Sequence, residues 1–270
     1  MYAKLLAYEI RSRYRADARS FGAFIVTIAV ASGIVAAGLP GISGSTAVLA
    51  YALCALTPVA CAIAAMADYW KTLYGQRGYF TMSLPVSGTT IFWAKTTRMV
   101  IECLLALALA VGGIIAVASA AAWSDGISLA EYTAGPRSLV AGVPTSTVAI
   151  MIVAQVLVSL SWLVQGSAVM SIGAEGRFNH MGFGAPIIGF VLLYIVNQVL
   201  STVGTFFLPL SVTTDGHFST EIMWTSYLAT MGTEGQPNVI GTGSYVLVPL
   251  VALVMGLWAS RSIEKHTSLR

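Results

Sequence analysis

Six apolar runs dominate the chain, at Phe21–Leu39, Ala47–Ala67, Met99–Ala122, Val148–Gly173, Gly182–Leu210 and Ser244–Ile263. Each is close to or beyond the roughly 20 residues that an α-helix needs to cross a bilayer core. Inside a bilayer every backbone N–H and C=O must be satisfied by the segment itself or by a closed barrel. The runs are continuous rather than alternating, which selects helices over barrel strands. The expected fold is therefore an all-α integral membrane protein, with residues 1–270 forming one transmembrane domain of six helices. Composition agrees. Hydrophobic residues make up 57% and charged residues 9%, against about 25% charge in ordinary soluble chains. The fifth run is overlong and is expected to tilt, kink or break near Pro209.

Orientation follows from where the cations fall. Lys4, Arg11, Arg13, Arg15 and Arg19 precede the first run; Lys71, Arg77, Lys95 and Arg98 follow the second; Arg177 follows the fourth; Arg261, Lys265 and Arg270 close the chain. These thirteen share one side if the six runs all cross, and the other side holds only Arg137. Both termini are expected to be cytoplasmic, in a bacterial plasma membrane. No separate basic domain exists to suggest a nucleic-acid partner, and the charged first twenty residues do not read as a cleavable leader. Cys54, Cys61 and Cys103 lie within apolar runs and lack metal-ligand spacing, so they read as buried free thiols.

The connections carry more information than the runs. Residues 1–20 read as an amphipathic interfacial helix, with Ala3, Leu6, Ile10 and Tyr14 on one face and Lys4, Arg11, Arg15 and Arg19 opposite. Arg13 and Asp17 blur its apolar edge. The outer connection Ser211–Gly243 lacks cations, and within it Phe218–Met231 places Ile222, Met223, Trp224, Tyr227, Leu228 and Met231 on near-helical spacing. That stretch reads either as a re-entrant or interfacial helix, or as a surface helix packed over the bundle. The inner connection over 68–97 is the one large cytoplasmic feature between runs. Pro85 must stop any helix through Tyr79–Leu84, and Ser87–Gly88–Thr89 has the chemistry of a turn and N-cap opening a new helix toward Lys95.

Arg77–Gly78–Tyr79–Phe80–Thr81–Met82–Ser83–Leu84–Pro85–Val86–Ser87, followed by Ala94–Lys95, resembles the signature after the second span in permease subunits of exporter-class ABC transporters. The layout of an N-terminal helix, six spans and a helical element before the last span is similar too. One position departs, since Arg77 stands where that family usually carries an acid. The resemblance implies that Arg77, Gly78, Tyr79, Phe80, Met82, Leu84 and Pro85 form a coupling element that docks on a separate ATP-binding subunit. It also implies a second permease subunit, identical or homologous, and ATP and Mg bound by the partner rather than by this chain. No G-x-x-x-x-G-K-[ST] loop occurs in the sequence, so no ATP hydrolysis by this chain itself is expected.

Polar residues at membrane depth are costly and mark candidate sites. Glu102 is the clear ionisable case, and Arg98 four residues earlier suggests an ion pair on one helix face. Gln155, Ser159 and Trp162 share a face of the fourth run, and Tyr194, Asn197 and Ser201 share one of the fifth. They are candidates for lining a substrate pathway, or amides that bridge helices. His180, His217 and His266 are scattered and suggest no metal site. The leading expectation is an ABC exporter permease moving a hydrophobic or amphipathic substrate. A stand-alone secondary transporter or channel, and a peptide-binding immunity or sensor protein, remain the alternatives.

Overall fold

The computed structural model describes residues 1–75, 78–83, 85–231 and 235–265. Six of its helices are long and apolar enough to cross a membrane: α1 (Tyr2–Ala36), α2 (Ile42–Leu73), α4 (Gly88–Ser124), α7 (Thr145–Gly173), α8 (Gly184–Phe207) and α10 (Ser244–Lys265). The chain is thus an all-α protein with a multi-pass membrane architecture, as the six apolar runs require. Short helices fill the connections: α3 (Gly78–Met82), α5 (Leu129–Tyr132), α6 (Ala134–Ser138) and α9 (Met223–Thr230). The protein divides into two compact units. The first comprises Met1–Tyr69 and Ala94–Leu139, the second Trp70–Trp93 and Val140–Arg270.

The first unit is built from α1 and the adjoining parts of α2 and α4. These helices hold 35, 32 and 37 residues, or about 50 Å each at 1.5 Å per residue. A bilayer core is about 30 Å thick, so each has several turns to spare. Their apolar halves meet through Phe24 and Ile28 of α1, Ala50 and Cys54 of α2, and Ala110 and Val117 of α4. Gly113 permits the approach, because a Cβ there would lie 2.7 Å from the Cys54 sulfur, whereas a Cβ on neighbouring Gly112 would meet nothing. The expected interfacial helix over 1–20 is not a separate element. It continues into the first span without a break, and its packed side carries Glu9, Arg13 and Asp17, while Ile10 and Tyr14 are exposed.

In the second unit α10 packs along α7 and α8. The α8 helix stops at Phe207, and Leu208 turns extended ahead of Pro209, as a residue before proline prefers. A three-stranded antiparallel sheet follows, formed by β1 (Ser211–Thr213), β2 (Phe218–Ser219) and β3 (Val239–Gly241) in the order β2–β1–β3. Gly216, at φ 81°, makes the turn between β1 and β2. The helical reading of Phe218–Met231 is therefore corrected: helix begins only at Met223, and Phe218 and Ser219 are strand. The α9 helix rests on α8 through ring contacts of Trp224 with Phe206 at 6.1 Å and with Phe207 at 5.5 Å.

Candidate functional site

Three groups of polar or exposed side chains stand out from the apolar scaffold. The largest is a buried charge cluster in the first unit. A repeat of four along α1 places Glu9, Arg13 and Asp17 on one stripe, because residues four apart stack on a helix face. Lys95, Arg98 and Glu102 share a face of α4, and Asp68 comes from α2. Lys95 Nζ lies 2.8 Å from Glu9 Oε1. Arg13 Nη1 lies 2.8 Å from Asp68 Oδ1, with its Nε 3.6 Å from Asp17. Arg98 donates to Asp68 at 3.0 Å, pairs with Glu102, and has its Nε 3.9 Å from Glu9.

The Arg98–Glu102 pair expected from the sequence thus exists, but as part of a seven-residue network rather than as an isolated pair. Arg98 is 1% exposed, and Lys95, Glu9 and Glu102 are also buried. Taking charges out of water costs several kcal/mol per ion unless pairing is near complete. Guanidinium suits the central position, since its planar fork can serve several carboxylates at once. Tyr2 adds a hydrogen bond from its hydroxyl to Thr97 at 2.8 Å, fastening the start of α1 to the same part of α4.

The second group is the middle of the inner connection, within the stretch Trp70–Trp93 that falls in the second unit. Gly78 is buried at the start of α3, while Tyr79 and Phe80 are 54% and 62% exposed. Met82 is half-buried and Pro85 exposed. Thr81 donates to the Thr72 carbonyl at 3.0 Å, tying α3 to the end of α2. Arg77 and Leu84, named from the sequence as coupling residues, lie outside the described residues. Ser87 caps α4 as expected, its hydroxyl accepting from the Thr90 N–H at 3.3 Å. Gly88 allows α4 to start against the end of α10, where a Cβ would meet the Glu264 backbone nitrogen at 2.7 Å.

The third group is an amide bridge among α7, α8 and α10. Gln165 Nε2 donates to the Val248 carbonyl at 2.9 Å, beside Pro249, and Asn197 Nδ2 donates to Gln165 Oε1 at 2.6 Å. Gln165 is 0% and Asn197 2% exposed. Asn197 therefore joins helices, and Tyr194 and Ser201 share its helix. Tyr194, Gln155, Ser159 and Trp162 are exposed and Ser201 is half-buried; Gln155 accepts from the Tyr245 hydroxyl at 3.1 Å. Asn197→Leu is expected to lower stability by about 0.6–1.7 kcal/mol, the range for interhelical hydrogen bonds in membranes, without changing insertion. Unfolding in mixed micelles measures it, and no change would mean the bridge contributes nothing.

Glu9, Arg13, Asp17, Asp68 and Lys95 are the members of the charge cluster that the sequence did not place in a site with Arg98 and Glu102. The signal available was the four-residue spacing of Glu9, Arg13 and Asp17, a charged stripe on a helix otherwise bound for the membrane. No family model, curated protein or solved structure matches the chain.

Proposed function

We propose that this chain is the membrane-spanning permease subunit of an ATP-driven ABC exporter, moving a hydrophobic or amphipathic substrate with the help of separate ATP-binding subunits. The observation that carries the reading is the inner connection. Its sequence resembles the coupling signature, and it takes the form of a short helix with two exposed aromatic rings, followed by the Ser87-capped start of a spanning helix. Exposed aromatics are the side chains on which protein interfaces concentrate their energy. Cytoplasmic termini are part of the proposal. Arg13, Lys95 and Arg98 are neutralised in the buried cluster, and the ten remaining cations of the thirteen still oppose only Arg137.

Phe80→Asp is expected to cut ATP-dependent efflux about tenfold or more, equivalent to about 1.4 kcal/mol of coupling, while membrane insertion stays normal. The assay is transport in vesicles co-expressing the ATP-binding subunit encoded nearby, with co-purification of the two chains as its companion. Unchanged efflux together with failure to co-purify sinks the reading. A second reading, a proton-driven secondary transporter, is favoured by one observation: acids from three helices, Glu9, Asp17, Asp68 and Glu102, share one buried cluster. It predicts flux by the purified chain without ATP.

A further inference from the structure

A groove of about 400 Å³ lies wholly within the second unit, framed by α7, α8 and α10. Its wall carries Phe178, Met181, Ile188, Leu192, Val196 and Trp258, and among the described residues no charged, amide or hydroxyl side chain lines it. A polar ligand entering it would lose water and find no partner, so the occupant it fits is hydrocarbon. Along α8 the lining runs from Ala185 to Val196, eleven residues on, or about 16 Å at 1.5 Å per residue. One leaflet offers about 15 Å of hydrocarbon, half of a core about 30 Å thick. The groove thus has the length of one acyl chain. Gly173 and Gly189, both in the lining, bring α7 and α8 into contact: a Cβ at Gly173 would lie 2.8 Å from the Pro186 nitrogen, and one at Gly189 2.7 Å from a Val169 methyl. The groove therefore has a closed wall there rather than a gap between helices.

One end of the groove is basic. A turn of 3-10 helix over Gly176–Met181 follows α7 and supplies Phe178 and Met181 to the wall. Arg177 sits over the Phe178 ring, its Cζ 4.6 Å from the centroid, and its Nε lies 2.7 Å from Glu175 Oε2. The ring and the buried Glu175 carboxylate hold the guanidinium in place, although its side chain is 60% exposed. Glu175 engages the Nε edge, which leaves the Nη donors of the fork for a second anion. Glu175 offsets one charge, and α10 brings two more cations. Trp258, Arg261 and Lys265 follow one helix face at spacings of three and four, and both cations are exposed. Ser262 donates to the Ser171 carbonyl at 3.3 Å, which sets this end of α10 against the end of α7. Glu264 is turned toward the start of α4, its Cβ 3.1 Å from where a Gly88 side chain would begin. We propose that this groove binds one anionic phospholipid, with an acyl chain along α8 and the phosphate on Arg177.

The site does not depend on the exporter reading, because it is measured on the chain alone, without ATP or a partner. The experiment is native mass spectrometry of the full chain released from nanodiscs that hold phosphatidylglycerol and phosphatidylcholine in equal amounts. The wild type should retain one phospholipid per chain, with phosphatidylglycerol favoured about fivefold or more, the gain expected from a cation near an anionic headgroup. Leu192→Trp and Val196→Trp put apolar bulk into the groove and should each lower retention about threefold or more. Ile152→Trp, an exposed α7 position outside the groove, should leave retention unchanged. Arg177→Gln should keep the lipid but lose at least half of the headgroup preference. A wild type that retains no lipid, or retention that neither groove variant lowers, overturns the proposal. Equal retention of the two lipids by the wild type also overturns it, by assigning the groove to hydrocarbon alone. Should one tryptophan variant fold poorly, the other decides; should Arg177→Gln do so with Glu175 left unpaired, the wild-type headgroup comparison decides.

Discussion

Arg98→Met is expected to destabilise the protein by about 3–5 kcal/mol, the cost of removing one partner from a buried ion network. The size follows from how many groups the guanidinium serves. Arg98 is 1% exposed and faces Asp68, Glu102 and Glu9 together. Methionine fills much of the same volume, so the loss would not be a packing defect. It would be three carboxylates that lose the guanidinium they share. Arg98→Lys should fall between the two, because one ammonium cannot reach three acids on three helices. Arg98→Met combined with Glu102→Gln should recover part of the loss and no more, since Asp68 keeps its charge. The measurement is the unfolding free energy in mixed micelles for all four proteins. A loss for Arg98→Met within about 0.5 kcal/mol of zero would put the cluster in the class of hydrated surface pairs, and the structural role given to it would fail.

The cluster also shows where sequence reading succeeds and where it stops. Arg98 and Glu102 are four residues apart on one helix, and local spacing is enough to pair them. Their partners Glu9 and Asp68 depend on how three helices are set against each other, which local spacing does not encode. The N-terminal helix was legible as amphipathic but its packed side was not. In water the apolar stripe turns inward; beside lipid the polar stripe can turn inward instead, leaving Ile10 and Tyr14 outside. The six spans were legible because hydrocarbon imposes length and apolarity together. Their full extents were not, since hydropathy marks the lipid-facing part of α1, α2 and α4 and misses the polar turns beyond it. The Ser87 cap was readable because capping is local chemistry. The β1–β3 pairing was hidden because strands of three residues carry little pattern, and Ser211 meets Gly241 across a long connection.

That connection supplies the second large effect. Gly241→Ala should destabilise the second unit by about 1–3 kcal/mol or more, the usual range for overpacking a closed site. At Gly241 a methyl group would overlap the Thr205 carbonyl of α8, which is helix backbone and cannot swing aside. The same seam is glycine-lined elsewhere: a Cβ at Gly204 would lie 2.8 Å from the Ser244 nitrogen. Chain meets chain there with no side chain between. Gly241 also donates its N–H to the Met223 sulfur at 3.3 Å, so moving β3 away from α8 would loosen α9 as well. The expected readout is faster proteolysis within 211–243 and a lower unfolding midpoint, with the spanning helices retained. Gly112→Ala is the matching control. Its Cβ meets nothing, so a helical alanine there should stabilise by about 0.5–1 kcal/mol. If both substitutions behave alike, helix propensity rather than close backbone contact governs these glycines, and the seam between α8 and β3 is looser than its geometry indicates.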